Sequence, residues 1–339
     1  MNRILLRLLT PWMRRYYSKA DAVADAALVK RFEAKNMAPS AVLIQIARIC
    51  NLRCVMCGWK IWGRNKGFMS PELYKRVLSE MKLNGIERVC ITSAQGEPLL
   101  NPRAIEFLEL ALNDGFNVIL NTNITPLNER KISELCRLAK SGRLLIQASF
   151  AGYDKKSYES VYVGAKFEAT VEKLWLLNKE FIISGLEKHL TINGIVMSRE
   201  ELDLNIKFLE SIGFDSSRLV IGLPDNFAGI VQVGKKHGKM YSYKADLPYR
   251  GLRLCGLFAH YIVVYDNGKV SACACRDSEG VMEIGDITKE SLYDIRNGPR
   301  FKAMLSSFMR RDLSGMPLCQ KCDIPYGDHE NVKLQMVAA

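Results

Sequence analysis

Short apolar, β-branched segments alternate with amphipathic helical patterns from residue 41 onward. The apolar segments predict six strands, at residues 41–47, 87–93, 116–121, 144–149, 190–197 and 218–223. Between them, apolar positions at helical spacing predict helices at residues 71–84, 102–114, 128–140, 167–183 and 199–212. Alternation of short buried strands with helices is typical of parallel βαβ units. Six units are too few for a closed eight-stranded barrel, so the predicted fold is α/β, a partial (β/α)6 TIM-like barrel.

The alternation ends at about residue 240, and a different pattern follows. Residues 261–265 and 269–273 flank the turn Asp266-Asn267-Gly268, which predicts a β-hairpin. A stretch with so few apolar positions is expected to depend on its cysteines and a metal centre for stability. The chain therefore divides into an N-terminal basic helical extension at 1–40, a barrel at 41–240, and a small C-terminal hairpin and helix module at 241–339.

Composition excludes several classes of protein. Of the 339 residues, 48% are hydrophobic and 25% are charged, which is typical of globular proteins and excludes disordered or fibrous chains. No long uninterrupted apolar run is present, so a polytopic membrane protein is excluded as well. The 48 Lys and Arg exceed the 36 Asp and Glu, which gives a net charge of +12. These cations are scattered, so nucleic acid is not expected as a partner, whereas an anionic substrate or an acidic protein is compatible with them.

Residues 1–19 combine an apolar patch with several arginines, and they lack the long apolar core and cleavage site of a signal peptide. We interpret them as a helix packed on the barrel or as a frayed arm. Peripheral contact with an anionic membrane is a less favoured alternative. The chain has 10 cysteines, most of them clustered. Clustered cysteines without a secretory signal predict metal ligands in a reducing compartment, and hence a cytoplasmic protein.

Three of the cysteines, Cys50, Cys54 and Cys57, lie in one short polar segment directly after the first predicted strand. Soft thiolates select zinc, copper(I) or iron–sulfur clusters. No fourth Cys or His lies nearby, which disfavours a closed zinc site and an ordinary four-cysteine cluster. Three thiolates on a four-iron cluster leave one iron open to chelate a small molecule through an amine and a carboxylate. The C-terminal end of a barrel strand is also where such folds keep their active sites.

The spacing Cys50-x3-Cys54-x2-Cys57 resembles the radical S-adenosylmethionine (SAM) superfamily, and two further features support the resemblance. The segment Gln95-Gly96-Glu97-Pro98 resembles the superfamily's Gly-Glu-Pro motif, with Gln95 in place of the usual first glycine. Polar residues also end the third and fourth predicted strands. The resemblance implies that the three cysteines hold a [4Fe–4S] cluster and that SAM is bound by Met56, Gln95, Gly96, Glu97, Pro98, Asn121, Asn123 and Ser149. One departure is Tyr162, which stands where close relatives often carry an Arg for the carboxylate.

A second set of cysteines lies in the C-terminal module, at Cys255, Cys273, Cys319 and Cys322. Four thiolates suit zinc as well as iron–sulfur, and ligand type alone does not separate the two. The pattern resembles the twitch module, the short form of the SPASM domain, which implies a second [4Fe–4S] cluster held by all four. Cys275 is left over. It is either a small residue beside the cluster loop or a catalytic thiol that donates a hydrogen atom to a substrate radical.

The resemblance implies an enzyme that cleaves SAM to a 5′-deoxyadenosyl radical, which abstracts a substrate hydrogen. We expect an oxidoreductase that dehydrogenates a hydroxyl-bearing carbon in a sugar, aminocyclitol or similar small polar metabolite. The alternatives are an epimerase that uses Cys275 as hydrogen donor, a ribosomal-peptide maturase and, outside enzymes, a metal-bound scaffold. The electron source is expected to be an acidic flavodoxin or ferredoxin, steered by the basic surface.

Overall fold

The computed structural model describes most of the barrel and of the C-terminal module. The described residues are 26–27, 29–30, 33, 37–58, 67–92, 96–196, 199–222, 227–229, 254–274 and 276–322. Most of the predicted N-terminal extension, including residues 1–19, lies outside them, as do Gln95 and Cys275. In the described part of the chain, no helix is both long and apolar enough to cross a membrane.

The strands of the described residues form one mixed sheet of nine strands, in the order β6-β5-β4-β3-β2-β1-β7-β8-β9. The strands are β1 Ala41–Ile44, β2 Arg88–Ile91, β3 Asn117–Thr122, β4 Leu144–Ser149, β5 Leu190–Ile195, β6 Leu219–Gly222, β7 Tyr261–Val264, β8 Lys269–Ser271 and β9 Glu283–Asp286. Strands β1 to β6 pair in parallel and do not close on themselves. This confirms the predicted α/β class and the open, partial TIM-like barrel.

The C-terminal hairpin joins the barrel sheet directly. Strand β7 pairs in parallel with β1, with Val42 opposite Ile262 and Ile44 opposite Val264, and β8 and β9 follow in antiparallel order. The chain after residue 254 therefore continues the barrel sheet at its β1 edge.

Among the described residues, six helices connect the barrel strands or cover them, and four more lie in the C-terminal module. They are α1 Pro71–Leu83, α2 Ala104–Asn113, α3 Glu129–Ala139, α4 Lys155–Val161, α5 Phe167–Ile183, α6 Arg199–Ser211, α7 Gly256–His260, α8 Leu292–Asn297, α9 Pro299–Met309 and α10 Pro317–Lys321. Helix α1 begins as predicted, because the Ser70 side chain accepts a hydrogen bond from the Leu73 amide and Pro71 occupies the first turn. Helix α4 was not predicted, since a helix of 7 residues carries too few turns to show a hydrophobic period.

The two faces of the barrel sheet differ in polarity. One face carries the buried apolar residues of β3 and β4, such as Val118, Leu120 and Ile146, which belong to the main core with the helices. Residues on the other face of the same strands, including Asn121 and Gln147, are only half-buried. Because side chains alternate between the faces of a strand, the second face presents polar groups toward the carboxyl ends of the strands.

Candidate cysteine centres and cofactor site

The three-cysteine loop is held by backbone hydrogen bonds to the segment that follows α4. The Arg53 amide donates to the Val163 carbonyl over 2.8 Å, and the Val55 amide donates to the Val161 carbonyl over 2.9 Å. Within the loop, the Cys57 amide donates to the Cys54 carbonyl over 3.1 Å. The loop is therefore fixed by its backbone, independently of what its thiols bind.

The thiols of this loop are close enough to influence each other's ionisation. Burial raises the pKa of the Cys50 thiol to about 11. Burial also raises the pKa of Cys54, and the neighbouring Cys57 and Cys50 raise it further. A metal centre needs these thiols as thiolates, so binding a centre here must release protons.

The chemistry of the donor set suits an iron–sulfur cluster, since soft thiolates are its ligands. Among the described residues, no three or more His, Cys, Asp or Glu side chains are grouped as ligands of one metal ion. A four-iron cluster binds its cysteines at separate corners, so its thiols lie further apart than the ligands of one ion. Three thiols around one loop suit such a cluster with one open iron.

The segment after β2 packs against the cysteine loop through its backbone. Gly96 has φ +129°, and a Cβ there would lie 2.3 Å from the Ala47 carbonyl oxygen, so the position requires glycine. The Glu97 amide donates to the Ile49 carbonyl over 2.8 Å, and Pro98 starts the short turn Pro98–Leu100. Two of the predicted SAM contacts, Gly96 and Pro98, thus flank a backbone bond to the residue before Cys50.

The Glu97 side chain points into the protein and positions the end of β3. Its carboxylate accepts hydrogen bonds from the Thr122 hydroxyl at 2.6 Å and from the Asn123 amide at 2.7 Å. The Leu99 amide is a third donor, at 3.0 Å. Burial raises the pKa of this carboxyl, while the three hydrogen bonds act in the opposite direction. Glu97 is therefore a positioning residue that joins the Gly-Glu-Pro segment to β3.

Asn123 reaches the cysteine loop directly. Its Nδ2 lies 3.7 Å from the Cys50 sulfur, to which it donates, and 3.2 Å from Asn51 Oδ1. The Leu52 amide also donates to the Cys50 sulfur, over 3.4 Å. Met56, between the last two cysteines, is half-buried against the core. The cysteine loop thus forms one contiguous group with the Gly-Glu-Pro segment and the end of β3.

The remaining predicted SAM contacts lie in a polar layer on the inner sheet face. Asn121 is paired with Gln147 of β4, and Ser149 is paired with Asn193 of β5. Gln147 and Asn193 were not predicted as site residues, because their strands were interpreted as uniformly buried. The available signal was alternation in β4, where Leu145, Gln147 and Ser149 share one face.

Tyr162 does not stand in for the absent Arg. It is fully buried, stacked on Tyr158 with ring centroids 4.8 Å apart, and Tyr158 stacks in turn on Phe150 at 4.7 Å. Burial raises the pKa of Tyr162 strongly, and the nearby Cys54 raises it further. The aromatic stack supports the cysteine loop from the core side.

The four C-terminal cysteines come from three separate elements. Cys255 precedes α7, Cys273 follows β8, Cys319 lies within α10 and Cys322 ends that helix. Burial raises the pKa of Cys319, and Cys273, Cys255 and Cys322 raise it further, so all four thiols lie within electrostatic reach.

The buried carboxylate of Asp277 organises the loop after Cys273. It accepts hydrogen bonds from the Ser271 hydroxyl at 2.7 Å and from the Val281 and Met282 amides, each at 2.8 Å. The Ser271 oxygen accepts in turn from the Cys273 amide over 3.1 Å. The position of Cys273 therefore depends on a buried polar network, and Cys275 lies outside the described residues.

The two cysteine-bearing parts of the chain adjoin at a small junction around Gly58. A Cβ on Gly58, the residue after Cys57, would lie 2.7 Å from the Phe227 ring and 3.2 Å from the Ser278 hydroxyl. The Arg276 guanidinium lies 4.6 Å from the centre of the same ring. A second link is the ion pair between Arg48 and Asp266, at 3.0 Å.

Comparison with known proteins agrees with this geometry. A sequence model of the radical SAM superfamily matches residues 44–209, and one of an iron–sulfur cluster-binding domain, SPASM, matches residues 255–323. The chain is 28% identical over 95 residues to the tungsten-containing aldehyde ferredoxin oxidoreductase cofactor-modifying protein of Pyrococcus furiosus. That alignment covers 28% of this chain and 27% of the relative.

Solved structures share the fold at low identity. BtrN, in complex with AdoMet and 2-DOIA, is 18% identical with a TM-score of 0.58 over 84% of this chain and 93% of its own. Streptococcus suis SuiB, bound to precursor peptide SuiA, is 16% identical with a TM-score of 0.63 over 83% of this chain and 70% of its own. The cofactors that follow from the two domain matches are a [4Fe–4S] cluster, SAM and an auxiliary iron–sulfur cluster.

Proposed function

Because the chain belongs to the radical SAM superfamily, we propose that it is a dehydrogenase that removes two electrons from a hydroxyl-bearing carbon of a sugar, aminocyclitol or similar polar metabolite. The observation that carries the proposal is the junction at Gly58. Gly58, next to Cys57, lies close to Ser278 in the loop after Cys273, so a cluster held by the C-terminal cysteines would be near the site of hydrogen abstraction.

Each cysteine set has one task in this proposal. Cys50, Cys54 and Cys57 hold a cluster whose open iron takes SAM, and Cys255, Cys273, Cys319 and Cys322 hold the auxiliary cluster. When bound, these groups supply a 5′-deoxyadenosyl radical that removes a hydrogen atom and an acceptor for the second electron.

The protein's own residues supply position and polarity. The Gly96–Pro98 backbone, Met56, Gln95, Asn121, Asn123 and Ser149 surround SAM, while Glu97 acts through its bonds to Thr122 and Asn123. Gln147 and Asn193 extend the polar layer and are the proposed donors and acceptors for substrate hydroxyl groups.

A small substrate is further supported by the likeness to BtrN, which was solved with AdoMet and 2-DOIA. SuiB, which was solved with a precursor peptide, shares the fold as well, and peptide maturation is the less favoured alternative. An acidic flavodoxin or ferredoxin is the proposed electron donor, in keeping with a net charge of +12.

Product mass tests the proposal. Reconstituted protein, reductant and SAM are incubated with a panel of sugars and aminocyclitols, and 5′-deoxyadenosine and product are measured by mass spectrometry. We expect a product two hydrogens lighter than its substrate, and we expect Cys275→Ala to retain this activity. An isomer of unchanged mass, lost in Cys275→Ala while 5′-deoxyadenosine still forms, would establish the epimerase instead. If no 5′-deoxyadenosine forms, the protein is not a radical SAM enzyme, and the metal-bound scaffold is the alternative that remains.

A further inference from the structure

Two apolar side chains are exposed at the three-cysteine loop. Val55, between Cys54 and Cys57, is 39% exposed, and Val163, whose carbonyl holds the Arg53 amide, is 42% exposed. Both lie where the cysteine loop pairs with the segment that follows α4. Small apolar centres with polar rims are typical of transient electron-transfer interfaces.

A group of cations adjoins the same loop. Lys173 of α5 donates to the Thr125 carbonyl, and the Thr125 hydroxyl accepts from Asn51 of the loop over 2.6 Å. Lys131 of α3 donates to the Leu99 carbonyl over 2.8 Å and to the carbonyl of Pro126, the neighbour of Thr125, over 3.2 Å. Arg130, next to Lys131, is exposed.

These cations influence one another and lack carboxylate partners. Burial lowers the pKa of Lys131, and the charges of Arg130 and Lys173 lower it further against the opposing effect of the buried Glu97. Among the described residues, none of the three forms an ion pair. Elsewhere on the barrel, Lys82, Arg137 and Lys155 are each paired with acidic side chains.

Arg53 adds a positive charge on the loop itself. Its Nη1 donates to the Cys50 carbonyl over 2.9 Å and to the Leu52 carbonyl over 2.7 Å. The guanidinium is thus fixed beside the cysteines. The three-cysteine loop and the segments bonded to it thus combine two exposed apolar side chains with four cations.

We propose that Val55, Val163, Arg53, Arg130, Lys131 and Lys173 form the docking surface of an acidic one-electron donor protein of the flavodoxin or ferredoxin class. The reduced donor loses one electron and the centre held by Cys50, Cys54 and Cys57 gains it, with no atom transferred. This rests on the proposed function only in requiring a reducible cluster at that loop. Apolar contact and opposite charge together account for fast, weak association.

The test compares two double variants with the same change in charge. Arg130→Glu with Lys173→Glu alters the proposed surface. Lys140→Glu with Lys179→Glu alters exposed residues toward the other ends of the same two helices. Cluster bleaching is followed by stopped flow without substrate, using reduced flavodoxin or dithionite, and the dissociation constant of oxidised flavodoxin is measured by titration.

We expect the flavodoxin rate divided by the dithionite rate to fall about tenfold at low ionic strength in the first double variant, with weaker flavodoxin binding. In the second double variant, this rate ratio should stay within about twofold of that of the unaltered protein. Moderate salt should narrow the difference in rate ratio between the two double variants. Arg130→Glu alone should lower the rate ratio by a smaller factor. This single variant keeps the hydrogen bond from Lys173 to the Thr125 carbonyl.

Three results would overturn the location. If the rate ratio fell equally in both double variants, the cause would be net charge and not the proposed surface. If it did not fall in the first double variant, the proposed surface would not be the docking site. If the bleaching rates with flavodoxin and with dithionite fell in parallel, the substitutions would have altered the cluster loop itself and not the docking of the donor. Failure to find an oxidised product would not affect this result, since cluster reduction is measured without substrate.

Discussion

The two cysteine sites are built in opposite ways. Cys50, Cys54 and Cys57 occupy one short loop, which neighbouring segments hold through the backbone bonds of Arg53, Val55 and Glu97. The four C-terminal cysteines come from three elements spread over residues 255–322, and their loop depends on the side-chain network of Asp277.

This difference has an energetic consequence. A loop tied to its neighbours by backbone hydrogen bonds is expected to keep its shape when its thiols are empty, because the bonds of the Arg53, Val55 and Glu97 amides do not involve sulfur. Ligands on separated elements are brought together only by the tertiary structure, so a metal centre there contributes to folding stability. The barrel site is thus expected to be preformed, and the C-terminal site to depend on its cluster.

The strongest test of that contrast is removal of each cysteine set. With two four-iron clusters, about eight irons per chain are expected, and alanine at Cys50, Cys54 and Cys57 should leave about four. This variant should form no 5′-deoxyadenosine and should keep its melting temperature within a few degrees. Alanine at all four C-terminal cysteines should also leave about four irons, but with a clearly lower melting temperature. Iron assay and thermal unfolding are the measurements, and equal melting temperatures would contradict the contrast.

Much of the barrel site could be predicted from sequence because its determinants are local. The spacing of three cysteines after an apolar strand and the Gly-Glu-Pro letters both lie within single short segments. The pairing of β7 with β1 could not be predicted, since it joins residues about 220 positions apart through backbone bonds that carry no residue signature.

Other features were missed for identifiable reasons. Gln147 lies in a strand of mostly apolar residues, and the alternation within β4 places its side chain on the same face as Ser149. Helix α9 carried a usable signal, because its buried residues Phe301, Leu305 and Phe308 recur at helical spacing. The junction of Gly58 with Phe227 carried no signal in the sequence, since the residues beside a glycine do not reveal its contact with a ring far along the chain.

That junction gives a test of how closely the two sites work together. Gly58→Ala would place a methyl group 2.7 Å from the Phe227 ring and 3.2 Å from the Ser278 hydroxyl, so the ring must turn or the segments at this junction must shift. We expect 5′-deoxyadenosine formation to continue while substrate oxidation falls about tenfold, because the auxiliary acceptor is displaced. The measurement is the ratio of oxidised product to 5′-deoxyadenosine.

Two further variants control this result. Gly256→Ala, beside Cys255, meets no atom within 4 Å and should leave the ratio unchanged. Adding Phe227→Ala to Gly58→Ala removes the clashing ring and should restore part of the coupling. If Gly58→Ala lowers 5′-deoxyadenosine and product equally, the residue serves only the three-cysteine loop.

The smallest expected effect concerns the bond from Asn123 to the Cys50 sulfur, at 3.7 Å. A donor to a ligating sulfur stabilises the more negative, reduced cluster, so its removal makes reduction harder. A hydrogen bond of about 0.5–1.5 kcal/mol corresponds to about 20–60 mV for one electron. Asn123→Ala should therefore lower the midpoint potential by that amount in a titration followed by electron paramagnetic resonance, in the absence of SAM. Asn121→Ala, two residues earlier and on β3 without a bond to sulfur, should leave the potential unchanged. An unchanged potential in Asn123→Ala would show that the backbone donor of Leu52, at 3.4 Å, suffices for the Cys50 sulfur.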